Sequence, residues 1–222
     1  QLDQPLSSIL PESSKTDKGN LKLREILSHQ SGFPPWIGFY KESVNVQNAR
    51  LYLDYYSRKP DEEHTIKVTD NIYIINSIKD TIMTDILYAP LGKKTYAYSD
   101  LGYYLFQEFL ERRYQQPLDS LAAERIYDPM NMWTTTYLPR NKFDISRIVP
   151  TAHDKTYRNQ LLVGYVQDEG AAMMGGVAGH AGLFSNPEDL AKLMQMYLNG
   201  GIYGGLRFFE PETVEEFTKN QY

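Results

Sequence analysis

Apolar positions along this chain fall mostly into helical stripes, separated by loops rich in proline and glycine. Leu101, Leu105 and Phe109 recur every four residues, which predicts a helix from about Ser99 to Tyr114. Ile82, Met83, Ile86 and Leu87 suit another that ends before Pro90. Asn20 can cap a short helix carrying Leu23, Ile26 and Leu27 on one face and stopping at Gly32. Pro117 opens a further helix with Leu118, Leu121, Ala122 and Ile126 inward. The clearest pattern starts at Asn186. That residue caps, Pro187 takes the first helical position, Glu188 and Asp189 complement the positive end, and Gly200-Gly201 stop the helix. Its predicted buried stripe is Leu190, Leu193, Met194, Tyr197 and Leu198.

Extended structure is scarce. Thr65–Ile75 is β-branched and partly alternating, a short strand or extended arm, while residues 44–57 suit helix and strand equally. Residues 1–19, broken by Pro5, Pro11 and Gly19, read as an extended lead-in, and the two prolines after Phe33 impose an irregular loop. Asn131–Asp168 shows no periodicity and reads as a long loop, of the kind that usually carries function. The expectation is one helix-rich α+β domain over 1–222, with 20–222 mainly helical.

Composition narrows the function classes. With 23 Lys+Arg against 28 Asp+Glu the chain is mildly acidic and has no basic cluster, which argues against nucleic acid as a partner. No window reaches the roughly 20 apolar residues of a membrane span, and no signal peptide is read at the start. Cysteine is absent, so thiol catalysis and Cys-based zinc sites fall away. Tyrosine is abundant, at 18 residues, and suits either half-buried packing or a sugar- or peptide-binding groove.

Four histidines, His29, His64, His153 and His180, lack metal-ligand spacing. A metal site from His153, Asp154, Asp168 and His180 is a distant alternative; no metal and no cofactor are expected. Neither a Gly-x-Ser-x-Gly elbow nor a Walker-type loop is present. Tyr98-Ser99-Asp100 stands where a loop enters the Leu101–Tyr114 helix. The positive end of a helix can lower a phenol's pKa and make a tyrosine a general base. The plain alternative is that Ser99 or Asp100 caps the helix and Tyr98 packs beneath it.

Longer segments carry a resemblance. Leu27-Ser28-His29-Gln30-Ser31-Gly32-Phe33 resembles the Leu-x-His-x-Ser-Gly loop of serine hydrolases with the β-lactamase/penicillin-binding-protein fold, and Leu2-Asp3-Gln4-Pro5-Leu6 resembles its lead-in. Tyr96–Tyr103 resembles the segment around the second catalytic motif, Tyr-x-Asn, with Asp100 in place of Asn. Ala181–Ala191 resembles the Gly-Leu-x-Ser-x-x-x-Asp-Leu-Ala helix start, and Glu210–Val214 the Pro-Glu-Thr-Val segment after it. The Gly175–Gly182 run resembles a narrower branch that includes carboxypeptidase-like penicillin-binding proteins and serine-hydrolase modules fused behind β-N-acetylglucosaminidase-type glycoside hydrolases in Bacteroidetes, and the Tyr-Ser-Asp form at 98–100 looks closer to those fused modules.

The resemblance implies a β-lactamase/transpeptidase-like fold, present incompletely, and an acyl-transfer enzyme of the periplasm or cell envelope. Its substrates would be a peptidoglycan-type D-Ala-D-Ala peptide, a β-lactam or a small ester. It also implies catalytic roles for Tyr98 and Asp100 and, for His180, the ordering of a loop. The family's nucleophile motif is Ser-x-x-Lys, and no serine here has Lys three residues later. His180-Ala181-Gly182 matches the third motif, His-x-Gly, in letters but precedes a helix. The chain therefore reads as the central part of a longer enzyme, inactive alone. It would carry an apolar face that pairs with the rest of the protein or with a second copy. The alternative is a non-catalytic wall-binding or scaffold module of a glycoside hydrolase.

Overall fold

The computed structural model describes residues 2–221. Its α-helices are α1 (Leu23–Leu27), α2 (Ile78–Tyr88), α3 (Leu101–Tyr114), α4 (Leu118–Ala122), α5 (Glu169–Met173), α6 (Pro187–Leu198) and α7 (Pro211–Thr218). The strands are short. β1 (Val44–Asn45) pairs with β2 (Arg50–Leu51). β3 (Tyr56–Ser57), β4 (Ile66–Thr69) and β5 (Ile72–Ile74) form a three-stranded sheet in the order β3-β5-β4. Two more hairpins join β6 (Pro150–Asp154) to β7 (Gln160–Val163) and β8 (Ile202–Tyr203) to β9 (Leu206–Arg207), and every pairing is antiparallel. This is the helix-rich α+β arrangement the patterning predicts, with small sheets only.

The main core gathers α1, α2, α3 and α5 around Ile26, Ile82, Ile86, Leu101, Leu105 and Met173, all at most 2% exposed. It continues to the lead-in through Leu6, Leu10 and Leu21, and to the β3-β5-β4 sheet through Ile72 and Ile74. Glycine lets two helices meet: a Cβ on Gly102 of α3 would lie 2.2 Å from Ile26 Cγ2 of α1. A smaller core of Met130, Met132 and Met196 holds α6.

Four expectations change. α1 starts at Leu23 with Lys22, not Asn20, at its cap position, where the Lys22 amide donates to Glu25 Oε2 at 2.9 Å. The 131–168 segment contains the β6–β7 hairpin. Its turn is built on Asp154, whose carboxylate accepts from the amides of Thr156, Tyr157 and Arg158 at 2.9–3.0 Å, so it needs no glycine punctuation. The α6 stripe faces outward in part. Asn186 caps as expected, accepting from Asp189 N at 2.8 Å. Asp189, however, is turned inward by Thr134, whose amide and hydroxyl donate to it at 2.9 and 2.7 Å. Met196 is buried with it, while Leu190, Met194 and Leu198 are 44, 50 and 81% exposed. The lead-in itself is two 3-10 turns, Leu6–Ser8 and Pro11–Lys15, rather than fully extended.

Candidate active site

Two segments distant in sequence, 29–35 and 92–100, build the surroundings of Tyr98. After α1 the chain turns at His29, which adopts φ 59°, a left-handed conformation uncommon outside glycine. The segment before α3 is pinned to this turn: Gly92 N donates to Gly32 O at 2.7 Å, Ala97 N to His29 O at 2.9 Å and Ser99 N to His29 Nδ1 at 3.2 Å. On the other side Ser99 Oγ donates to Pro34 O at 2.7 Å, and Asp100 N to Pro35 O at 3.4 Å. Gly32 must be glycine, because φ is 82° and a Cβ would lie 2.6 Å from Gly92 O.

Tyr98 is thus neither core nor cap. It is 58% exposed, and its ring lies 4.5 Å from that of His29, which also contacts Tyr96 at 6.2 Å and Tyr103 at 5.7 Å. The Leu-x-His-x-Ser-Gly resemblance gives His29 no role of its own, and it is the fold that brings its ring to Tyr98. Ser99 is buried, and its Oγ accepts weakly from Leu101 N at 3.3 Å. Asp100 occupies the cap position of α3, yet its side chain makes no cap bond to the helix.

The electrostatics reverse one expectation. The negative charge of Asp100 is the largest influence on the Tyr98 phenol; it raises the pKa above the ordinary tyrosine value, and burial and a polar contact with Asp100 add to it. The lowering that a helix end could give is not what Tyr98 experiences: its pKa moves up, with the Asp100 charge as the first cause. Tyr98 is therefore held as a protonated phenol, suited to giving a proton rather than taking one. Tyr103 is shifted the same way, by burial first and then by Asp100.

A second polar group lies further along α3. His180 Nε2 is 3.0 Å from Asp168 Oδ1, and its ring stacks on Tyr104 at 4.2 Å. His180 Nδ1 is buried without a partner. Burial works to raise the pKa of Asp168, but the His180 contact and the Ala171 amide prevail and hold it below the usual carboxylate value. The Gly175–Gly182 run is clamped by Gln107, which donates to Val177 O and accepts from Gly179 N, both at 3.1 Å. The four residues of the metal alternative do not converge: His153 is exposed on β6, and Asp154 is committed to Arg158 at 2.6 Å. Among the described residues no group of three His, Asp or Glu could hold a metal ion. An open cleft of about 860 Å³ lies elsewhere, between the C-terminal half of α3, β4 and the 138–141 turn.

The sequence model of the family described as beta-lactamase matches residues 1–218. The chain belongs to the beta-lactamase family. An Escherichia coli (strain K12) relative named "Putative D-alanyl-D-alanine carboxypeptidase" is 34% identical over 220 residues, which cover 94% of this chain and 45% of that protein. This chain thus spans under half the length of such relatives. Among solved structures, the octameric penicillin-binding protein homologue from Pyrococcus abyssi superposes with a TM-score of 0.61 at 16% identity, over 99% of this chain and 43% of that one. The D-amino acid amidase from Ochrobactrum anthropi SV3, complexed with L-phenylalanine amide, gives 0.55 at 17% identity, over 97% and 51%. These likenesses show the fold.

Proposed function

We propose that this chain is the central part of a serine acyl-transfer enzyme acting on amide or ester bonds at the cell envelope. A D-Ala-D-Ala carboxypeptidase, a β-lactamase or a small-ester hydrolase would each fit. The observation that carries the reading is an exposed, protonated Tyr98 held by His29 and Asp100 at the start of α3, in a chain of the beta-lactamase family. The fused glycosidase-type module remains the parent we favour, on its Tyr-Ser-Asp form.

In this scheme a serine from the Ser-x-x-Lys motif, supplied by the rest of the protein, attacks the substrate carbonyl and gives its proton to the lysine. The carbonyl carbon gains a bond to serine oxygen and loses its bond to the leaving nitrogen or oxygen. Tyr98 donates its proton to that leaving atom and regains one from the lysinium. Water then cleaves the acyl ester. Gln107, His180 and Asp168 hold the Gly175–Gly182 loop against α3 and are positioning residues. Generic acid–base catalysis by one side chain is worth about 10²–10⁴ in rate.

The test uses fluorescent penicillin and fluorophosphonate probes. The full-length protein is expected to be labelled on a serine outside residues 1–222, and the 222-residue chain to remain unlabelled. Tyr98→Phe in the full-length protein should lower turnover by about 10²–10⁴ with little change in stability, since ring and buried area are kept. Labelling of Ser31 or Ser99, or unchanged turnover in that variant, would refute the scheme.

A further inference from the structure

We propose that Lys18 is a positioning residue for Tyr98. Its buried ammonium group holds the end of α2 and so fixes where the segment bearing Tyr98 begins. This deepens the acyl-transfer reading and rests on it. Lysine is almost never fully buried without a partner. Lys18 is 1% exposed, as enclosed as Arg158, yet the carboxylate it meets at 2.5 Å, that of Asp17, is 57% exposed. Taking an ammonium out of water is unfavourable, and an apolar side chain of similar length would fill the space without that loss. Packing alone therefore does not account for a lysine here. What lysine adds is a directed bond, from Nζ to the carbonyl of Ala89, 71 residues further on.

Both ends of that bond are firmly placed. Lys18 sits in a tied turn: its amide donates to Thr16 Oγ1 at 3.2 Å, and its carbonyl accepts from Leu21 N at 2.9 Å. That turn is joined to the first 3-10 turn by Leu6 N to Leu21 O at 2.8 Å and Ser7 N to Gly19 O at 3.1 Å. At the other end Ala89 closes α2, its amide donating to Asp85 O at 2.8 Å, and Pro90 stops the helix. Carbonyls of a last turn have no donor within the helix, and a cation is favoured at that end. Residues 90–100 then run to α3 with no regular structure. Gly92, Ala97 and Ser99 tie them to the 29–34 turn, Lys94 pairs with Glu25 at 2.8 Å, and Leu91 packs on the main core. Lys18 supplies the bond where the segment leaves α2. Releasing it lets the segment shift against its other ties, and a displacement near ~1 Å at a reacting group can cost about 100-fold in rate.

The experiment is a double-mutant cycle on the full-length protein, read as the rate of acylation by fluorescent penicillin well below each variant's Tm. Lys18→Met keeps the length and apolar body of the side chain and loses the donor. It should slow acylation by about 10- to 100-fold with Tm little changed. Made together with Tyr98→Phe, which removes the hydroxyl being positioned, it should add no more than about two-fold to the effect of Tyr98→Phe alone. Lys18→Gln, shorter but still a donor, serves if the methionine variant does not fold, with the same dependence on Tyr98. Leu10→Ala, at a buried lead-in residue with no bond to Ala89, should lower Tm and leave acylation unchanged. An unchanged rate in Lys18→Met, equal slowing with and without Tyr98→Phe, or equal slowing in Leu10→Ala would overturn the proposal. Full-rate acylation of Tyr98→Phe alone, or no acylation of the unsubstituted protein, would instead overturn the acyl-transfer reading and this inference with it.

Discussion

Replacing Gly102 by alanine tests how the Tyr98 surroundings are held together. In an unconstrained helix interior this change stabilises by about 1 kcal/mol, because glycine has the greater freedom to lose. Here the new methyl would lie 2.2 Å from Ile26 Cγ2. Ile26 is 2% exposed, so its methyl has nowhere to withdraw without moving α1. Overpacking of this kind costs roughly 1–3 kcal/mol. The net result is a loss between zero and about 2 kcal/mol, or at most ~4–8 °C in Tm for a chain of this size. A double-mutant cycle isolates the contact. Ile26→Ala alone should cost about 2–5 kcal/mol, but it removes the methyl that clashes. Gly102→Ala should therefore be at least ~1 kcal/mol better tolerated beside Ile26→Ala than beside Ile26, within the usual range for touching residues. Urea unfolding of the four chains measures this. Additivity within experimental error, or a Tm rise of several degrees in Gly102→Ala alone, would show that the two helices are not in the contact described, and with it that His29 is not held on Tyr98 by this packing.

Two other expectations follow from α6. Thr134 and Lys192 overcome burial to lower the Asp189 pKa from 3.8 to about 2. A depressed folded-state pKa contributes stability that is complete above about pH 4 and lost as pH falls toward 2, worth roughly 2 kcal/mol by linkage. Asp189→Asn should lose about that much at pH 7 and nothing near pH 2, and a parallel acid limb in both proteins would contradict it. The Leu190, Met194 and Leu198 stripe should make the 222-residue chain self-associate in light scattering. Met194→Glu with Leu198→Glu should return it to monomer, and a monodisperse monomer before substitution would discount the stripe.

Helix existence was legible because periodicity reports it directly: α2, α3 and α6 lie where their stripes fall. Which face turns inward was not. In α6 the apolar residues cover two adjacent stripes, and the choice is made by Asp189, a charged residue pulled inside by Thr134 from 55 positions away. Local patterning cannot contain that bond. The β6–β7 hairpin escaped for a related reason. Only Asp154 and Leu162 of its two strands are buried, so no apolar alternation shows, and its turn is organised by the Asp154 carboxylate rather than by glycine. At the site, Tyr98 and Asp100 were marked by their neighbourhood in sequence and by resemblance. His29, 69 residues before Tyr98, could be tied to them only through the fold.

The sign of the Tyr98 shift shows why a motif alone is a poor guide to mechanism. Two influences meet at the start of α3. The helix end favours a phenolate there, by a partial charge that fades within the first turn. Asp100 opposes it with a full charge from two residues away, and no cation among the described residues neutralises that charge. The pKa of Tyr98 moves up, with Asp100 as the first cause. Had Asp100 capped α3, its carboxylate would have been partly spent on the helix amides and the phenol would have felt less of it. Leaving the cap unmade therefore turns the undivided charge of Asp100 on the Tyr98 phenol and raises its pKa further above the ordinary tyrosine value.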